Sequence, residues 1–463
     1  MSRRRISCCP SRLKFGKFTY NKSYIITLKQ FLFKIREHLD LIMLFDEEFG
    51  MDKETVLNEI ISFYLESHDF NGLPVYNMKF YDYDILCELI DEGLVIVLSD
   101  KEVLNPHIKS FDFDIPLDRQ KENVSSKVNY SVLYPTEKAL ESIPPDHAKP
   151  YSDLLQKGEE QFKIIYFDIE ILERYNNNPK FLIMDNGYRG DIYVKDEFSE
   201  DETLVSEYIK NYGMAYIEGD ILDRAVGVFV CDLAKLSSQK QMMWKGFELL
   251  DQTKCQISPG FVKNLIRGEW VDEIWIFHAL IEEMKIINEQ CEHMKIPKLF
   301  NKTFGTHYSE MPEGYRNILL PTLKNYYDFV LVLEKIVVHN ISYKTFQKDA
   351  LFIRSIERKD ESGKDKGSLA MLEEWLIKNI RTPEDISEII IKPLKNIRQI
   401  RQKPAHELIS NQYDVMLYRK QLDLMSETYA AIRAIRLFFS NHPLAKDVEV
   451  PEYLLTGHDI ANY

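Results

Sequence analysis

The sequence predicts a multidomain α+β protein: a small helix-and-strand domain, a central mixed α/β domain and a C-terminal helical bundle. Three observations predict it. At 463 residues the chain is long enough for two to four domains. Apolar spacing shifts from helical to alternating and back again along the chain. Charge is asymmetric: the whole carries −14, yet Pro321 to Lys446 holds 21 basic against 16 acidic residues, a net +5. The remainder therefore stands at −19, which directs any polyanion to the C-terminal third.

Residues 1–50 end in an amphipathic helix through Leu28 to Phe49. Within 51–145, helices over Glu54 to Ser67 and Tyr81 to Gly93 precede a strand at Leu94 to Leu98. A second strand, Asn129 to Pro135, leads into a helix at Thr136 to Ile143. This order, with "LIDEGL" before the first strand and "PTEKAL" after the second, resembles a winged-helix domain. Such a domain suggests DNA, but Met51 to Pro145 holds 8 basic against 18 acidic residues. Duplex DNA is bound largely by neutralising phosphates, so a protein partner is expected at this acidic region instead.

His147 to Glu160 reads as a linker. Residues 160–312 open with an alternating strand at Phe162 to Glu170. Phe181 to Met184 and Asp191 to Val194 flank an Asn186-Gly187 turn, and Val226 to Cys231 continues the sheet. A helix runs from Glu273 to Cys291. No glycine-rich phosphate loop occurs. Asp185, Asp191, Asp220 and Asp223 read as solvated turn residues, so no metal or cofactor is expected. The six cysteines contain no C-x-x-C pair and read as reduced thiols, without a zinc site. No apolar run approaches the roughly 18 residues of a membrane span. Cys8-Cys9-Pro10 and Lys14 interrupt any signal-peptide core after Arg3-Arg4-Arg5, so a cytoplasmic location is expected.

Residues 313–446 read as five helices: Pro321 to Asn340, Ile341 to Arg358, the Leu369–Ile380 stretch, a basic helix, and a seam of Val415, Tyr418, Leu422, Met425, Tyr429 and Ile432. Residues 447–463 form a tail. The basic helix, IKPLKNIRQIRQKPAHELI, carries Lys392, Lys395, Arg398, Arg401 and Lys403 with no carboxylate between Glu388 and Glu407. Thr382-Pro383-Glu384-Asp385 is its expected start. Pro404 is expected to break it, placing His406 in a fresh first turn whose free N–H groups favour an anion. A second Arg-to-His spacing, Arg436 to His442, falls at a helix stop and is set aside.

Arg401 and His406, separated by four residues, match the Arg-x4–6-His pattern of the HEPN superfamily, which the C-terminal third resembles. Over the full length, "YLESHDFNGLP", Tyr166 to Tyr175, Met371 to Leu376 and "RQKPAH" resemble a group of bacterial proteins with no assigned activity. The HEPN resemblance implies a metal-independent endoribonuclease in which Arg401 and His406 of two subunits meet at a dimer cleft, as in toxin and abortive-infection (phage defence) effectors. Gln402 stands where the family has Asn, Asp or His. Lys395, Arg398, Gln402 and Lys403 are the expected RNA contacts.

The residue types suit that chemistry independently. Cleavage by the RNA's own 2′-hydroxyl needs a base and an acid, and histidine serves either near neutrality. Arginine forks onto phosphate oxygens as charge builds. One Arg/His pair supplies half of an acid–base set, so a homodimer through the bundle is expected to supply the rest. Two other classes stay open: a HEPN domain that binds RNA or nucleotide without cutting, and an interaction scaffold.

Overall fold

A computed structural model describes residues 52–66, 71–99, 115–141, 143–185, 187–269, 271, 273–406 and 410–462, with backbone alone at 404–406. The helix expected over Leu28 to Phe49 lies outside the described residues. The chain is mixed α+β, with sheets toward the N-terminal side and helices toward the C-terminal side.

The first unit comprises α1 (Lys53–Glu66), β1 (Leu73–Pro74), α2 (Tyr83–Asp91), β2 (Val95–Ser99), α3 (Leu117–Ser126), β3 (Ser131–Pro135) and α4 (Glu137–Leu140). Asp82 starts α2 by accepting from the Asp84 and Ile85 N–H groups at 3.0 and 3.1 Å. Gly93 ends that segment at φ +65°, a conformation glycine takes without strain. The strands form an antiparallel sheet in the order β1-β3-β2, with Val95 opposite Pro135. Helix α3, too polar to show an apolar period, is held by buried Gln120, which accepts from the Val97 N–H at 3.0 Å.

The expected linker folds. It forms α5 (Pro150–Gln156), with proline in the first turn and Tyr151 and Leu155 fully buried one turn apart. Its polar residues had masked this i, i+4 pair. Tyr64 of α1 donates to the Leu155 carbonyl at 2.7 Å, joining the first unit to the next.

The central unit continues through β4 (Ile164–Asp168), α6 (Glu173–Asn176), β5 (Phe181–Asp185), β6 (Arg189–Val194), β7 (Asn211–Ile217), β8 (Asp220–Phe229), α7 (Val230–Ala234), α8 (Ser238–Lys245), β9 (Cys255–Ile257) and α9 (Pro259–Leu265). The antiparallel order is β4-β8-β7-β6-β5, with β9 also on β7. Gly213 and Gly227 face each other across β7 and β8. A Cβ on either would stand 2.4–2.5 Å from Ile257, so glycine there admits β9. Phe167, Tyr175 and Trp244 pack together on the sheet, and the Trp244 indole donates to the Tyr175 hydroxyl at 2.9 Å.

The bundle contains β10 (Ile274–Trp275), α10 (Ile276–His293), α11 (Leu323–Val337), α12 (Ser368–Asn379), α13 (Lys392–His406), α14 (Met416–Ser440), α15 (Glu452–Thr456) and β11 (Ile460–Ala461). Helix α10 packs along α14 and shares one core with α11, α12 and α13. The tail returns to it, since β11 pairs in parallel with β10. Among the described residues no helix is long and apolar enough to cross a membrane.

One expectation for the bundle is corrected. Ile341 to Arg358 is not a helix but a short 3₁₀ turn at Tyr343–Gln347 followed by a tight reversal, with Phe352 at φ +58°. Its polar groups bond across the chain instead: Ser342 N–H to the Leu299 carbonyl, Thr345 hydroxyl to that of Lys298, and Ile356 N–H to that of Phe346. The Val415–Ile432 seam packs into the chain's own core, where Tyr418, Leu422, Met425 and Ile432 are buried.

Glu283 of α10 and Arg436 of α14 form a doubly bonded ion pair, both side chains essentially without solvent access. Arg436 also donates to the Leu454 carbonyl at 3.1 Å. The arginine set aside in the sequence is thus a packing residue, while His442 contacts the Leu351 carbonyl at 2.8 Å. Arg436→Ala leaves a bare buried carboxylate and is expected to cost about 3–5 kcal/mol. Guanidinium unfolding of the variant beside the Glu283→Gln/Arg436→Ala double mutant, which should recover part of the loss, checks this.

His278 gives a second expectation. Its Nε2 is buried without a partner, and burial lowers its pKa to about 4. The unfolded chain takes up this proton near pH 6.5, the folded chain only near pH 4, so stability is present above 6.5 and lost as pH falls toward 4. The loss from this residue is expected to reach about 2–3 kcal/mol by pH 4.5. Thermal melts of wild type and His278→Gln from pH 7 to 4.5 should converge as acid is added; parallel curves would refute the assignment.

Candidate functional site

The basic helix begins later than its sequence suggests. Asp385, not Thr382, caps it, accepting from the Ser387 and Glu388 N–H groups at 2.9 and 3.2 Å. Thr382 caps only Glu384, at 3.2 Å. A π-turn at Ser387–Ile391 follows, burying Ile390 and Ile391 and leaving Ile389 outward. From there α13 is set by Leu394 and Ile397, both fully buried. Arg401 stands four residues beyond Ile397 and seven beyond Leu394, so it prolongs the buried stripe.

What meets it there is a carboxylate. Glu334 of α11, 1% exposed, points at α13. Its Oε2 lies 3.5 Å from Arg401 Nε, and its Oε1 lies 3.7 Å from Arg398 Nε. His339, just past the end of α11, brings Nε2 to 3.3 Å from the same Oε1. The His339 N–H also donates to the Glu334 carbonyl at 3.0 Å. Neither carboxylate oxygen has a well-formed hydrogen bond, so three half-exposed groups surround one buried charge at ion-pair distance. Both arginines touch Glu334 through Nε. Among the described residues no hydrogen bond engages their outer nitrogens.

The other expected contacts divide. Lys395 pairs with Glu373 at 2.9 Å, and Lys392 with Glu388 at 2.6 Å. Burial alone would raise the Glu373 carboxyl, but the Ser387 hydroxyl and the Lys395 ammonium pull its pKa below the usual value. Gln402 and Lys403 are exposed and without a partner among the described residues.

His406 requires a correction. Helix α13 runs through Pro404 to His406 without a restart, so His406 occupies the last turn of a helix, not the first. A proline that close to the end removes one ladder bond where the ladder is about to stop. The carbonyl end of a helix favours a cation, not an anion. On one continuous helix, Arg401 and His406 stand about 7.5 Å apart along the axis and about 140° apart around it. The structure brings Arg401 together with Arg398, Glu334 and His339.

Glu334 and His339 were missed in the sequence, though Glu334 left a trace. It follows Val330 by four residues and precedes Val337 by three, a polar residue on an apolar stripe. The aspartates do not gather: Asp191 pairs with Arg189 at 2.9 Å, while Asp220 and Asp223 lie on the outer half of β8. Asp185 is no solvated turn residue, since burial pushes its pKa up at the junction with the bundle. Among the described residues no three His, Cys, Asp or Glu side chains are placed to hold a metal. A cleft of about 580 Å³ opens beside α11, but its carboxylates Glu170 and Glu173 offset Arg174 and Lys324.

Because the cations over Glu334 are half-exposed, each single pairing contributes little to stability. Arg401→Ala is expected to change unfolding free energy by no more than about 1 kcal/mol, since Arg398 and His339 still cover the carboxylate. Denaturant titration checks this, and a loss comparable to that of Arg436→Ala would make Arg401 a structural residue. No protein-family profile, curated protein or solved structure matches the chain, so the site is read from its own residues.

Proposed function

We propose that the chain is a metal-independent endoribonuclease of HEPN type, with its RNA site on α13 and with Arg401 and His406 as catalytic residues. One observation carries the reading. Arg398 and Arg401 lie half-exposed with Nε beside a buried carboxylate, and among the described residues no hydrogen bond engages their outer nitrogens, on a helix that also bears Lys395, Gln402 and Lys403. A fixed guanidinium fork matches a phosphodiester's two non-bridging oxygens. RNA, rather than duplex DNA, supplies the 2′-hydroxyl that lets such a site cut without an external nucleophile.

The remainder of the chain fits a restraint or sensing role. The three-stranded sheet with its helices supports a winged-helix-like unit, and its acidity suits a protein partner. A cytoplasmic toxin or phage-defence effector acting as a homodimer is the setting this reading implies. The dimer draws its argument from the half-complete acid–base set alone, because the α14 seam is occupied. A second reading, RNA binding without cleavage, is favoured by Arg401 already sharing a carboxylate.

Purified protein is expected to cleave single-stranded or looped RNA in EDTA, leaving a 2′,3′-cyclic phosphate; intact RNA favours the binding-only reading. Arg401→Ala should slow cleavage by about 10²–10³-fold, as loss of one charge-stabilising donor does. Arg398→Ala and Lys403→Ala should each weaken RNA binding and lower the slope of log affinity against log salt by about one. Sedimentation showing a monomer at micromolar concentration would remove the dimer.

A further inference from the structure

We propose that His339, oriented by the buried carboxylate of Glu334 beside Arg398 and Arg401, is a second proton-transfer residue of this RNA site. The inference rests on the ribonuclease reading and adds a proton-transfer group to that site.

The geometry is that of a carboxylate–imidazole pair set against two phosphate-binding groups. Glu334 is buried, and its oxygens face three groups at 3.3–3.7 Å without a well-formed bond to any. A plain structural ion pair needs one cation per carboxylate; here two guanidiniums and an imidazole share one. Even with a neutral imidazole the group carries a net positive charge, at a surface where all three side chains remain about 37–48% exposed. That is an anion site with a proton-transfer group at its edge.

The pairing also selects a tautomer. With Nε2 nearest Glu334, a proton on that nitrogen faces the carboxylate and leaves Nδ1 its lone pair. Among the described residues nothing occupies Nδ1. It is placed as a base.

The step then balances. The 2′-oxygen attacks the adjacent phosphorus while its proton passes to His339 Nδ1. The P–O5′ bond breaks, and the departing 5′-oxygen takes a proton from the imidazolium of His406. The products are a 2′,3′-cyclic phosphate and a 5′-hydroxyl, with Arg398 and Arg401 holding the non-bridging oxygens. Glu334 acts through His339 and the arginines, as a positioning residue.

The test is single-turnover cleavage of a single-stranded RNA oligonucleotide by the full chain in EDTA, with melting curves for every variant. His339→Ala should slow cleavage by roughly 10²–10⁴-fold, and added imidazole should restore part of it, which a structural role would not allow. His339→Gln, which keeps a hydrogen-bonding side chain beside Glu334, should be as slow while melting like wild type. Glu334→Gln should cost roughly 10–100-fold. If His406→Ala is inactive while both His339 variants cut at the wild-type rate, the inference is overturned and the nuclease reading stands. Should wild type itself leave the RNA intact, both are lost.

Discussion

The buried pair of Glu283 and Arg436 is the contact on which the C-terminal half depends. It lies between α10 and α14, the two longest helices among the described residues, and a third bond from Arg436 reaches the Leu454 carbonyl. Removing two charges from water is costly, and the cost is recovered only when geometry and remaining hydrogen bonds are satisfied. Here they are, so the pair fixes the rotation of one helix against the other. Gln290 reinforces the register by donating to the Arg436 carbonyl and the Ser440 hydroxyl at 3.2 and 2.8 Å. With α10 and α14 locked, α13 has a defined bed for Ile390, Ile391, Leu394 and Ile397.

A second buried arginine couples that bundle to the central sheet. Arg224 leaves β8 to donate to the carbonyls of Ile318 and Leu319 at 2.7 and 3.1 Å, with its guanidinium 3.5 Å above the Tyr418 ring. Gln421 accepts from the Ile318 N–H at 2.7 Å, so the strand-to-helix connection is held from both sides. A polar junction of this kind specifies one docking geometry more strictly than an apolar one, because a slip leaves buried groups unpaired. The segment it holds leads directly into α11, and hence to Glu334.

Glu334 applies the same logic with the opposite outcome. Its partners are half-exposed, so they are positioned without being consumed. The buried carboxylate lies at ion-pair distance from Arg398, Arg401 and His339, and each of the three stays partly exposed. Arg436 and Arg401 illustrate the contrast: two arginines on buried carboxylates, one sealed in the core and one at the rim.

Much of this was legible in the sequence. Hydrophobic spacing located most strands and helices, because burial acts through local periodicity. Charge asymmetry singled out α13, since net charge is a property of composition. Elements held by side-chain pairs and distant backbone bonds were not legible: α3 relies on Gln120, α5 on two residues in a polar stretch, and the Ile341–Arg358 segment on bonds to residues 298 and 299. The site divides in the same way. Arg398 and Arg401 were visible as cations on a helix, but their partners lie 59 to 67 residues earlier, on α11 and just beyond it. Sequence alone determined which helix bears the positive charge. Only the tertiary structure decided that Arg401 and His339 both meet Glu334, and that one helix runs through Pro404 to His406, because convergence across helices is set by packing that no local pattern encodes.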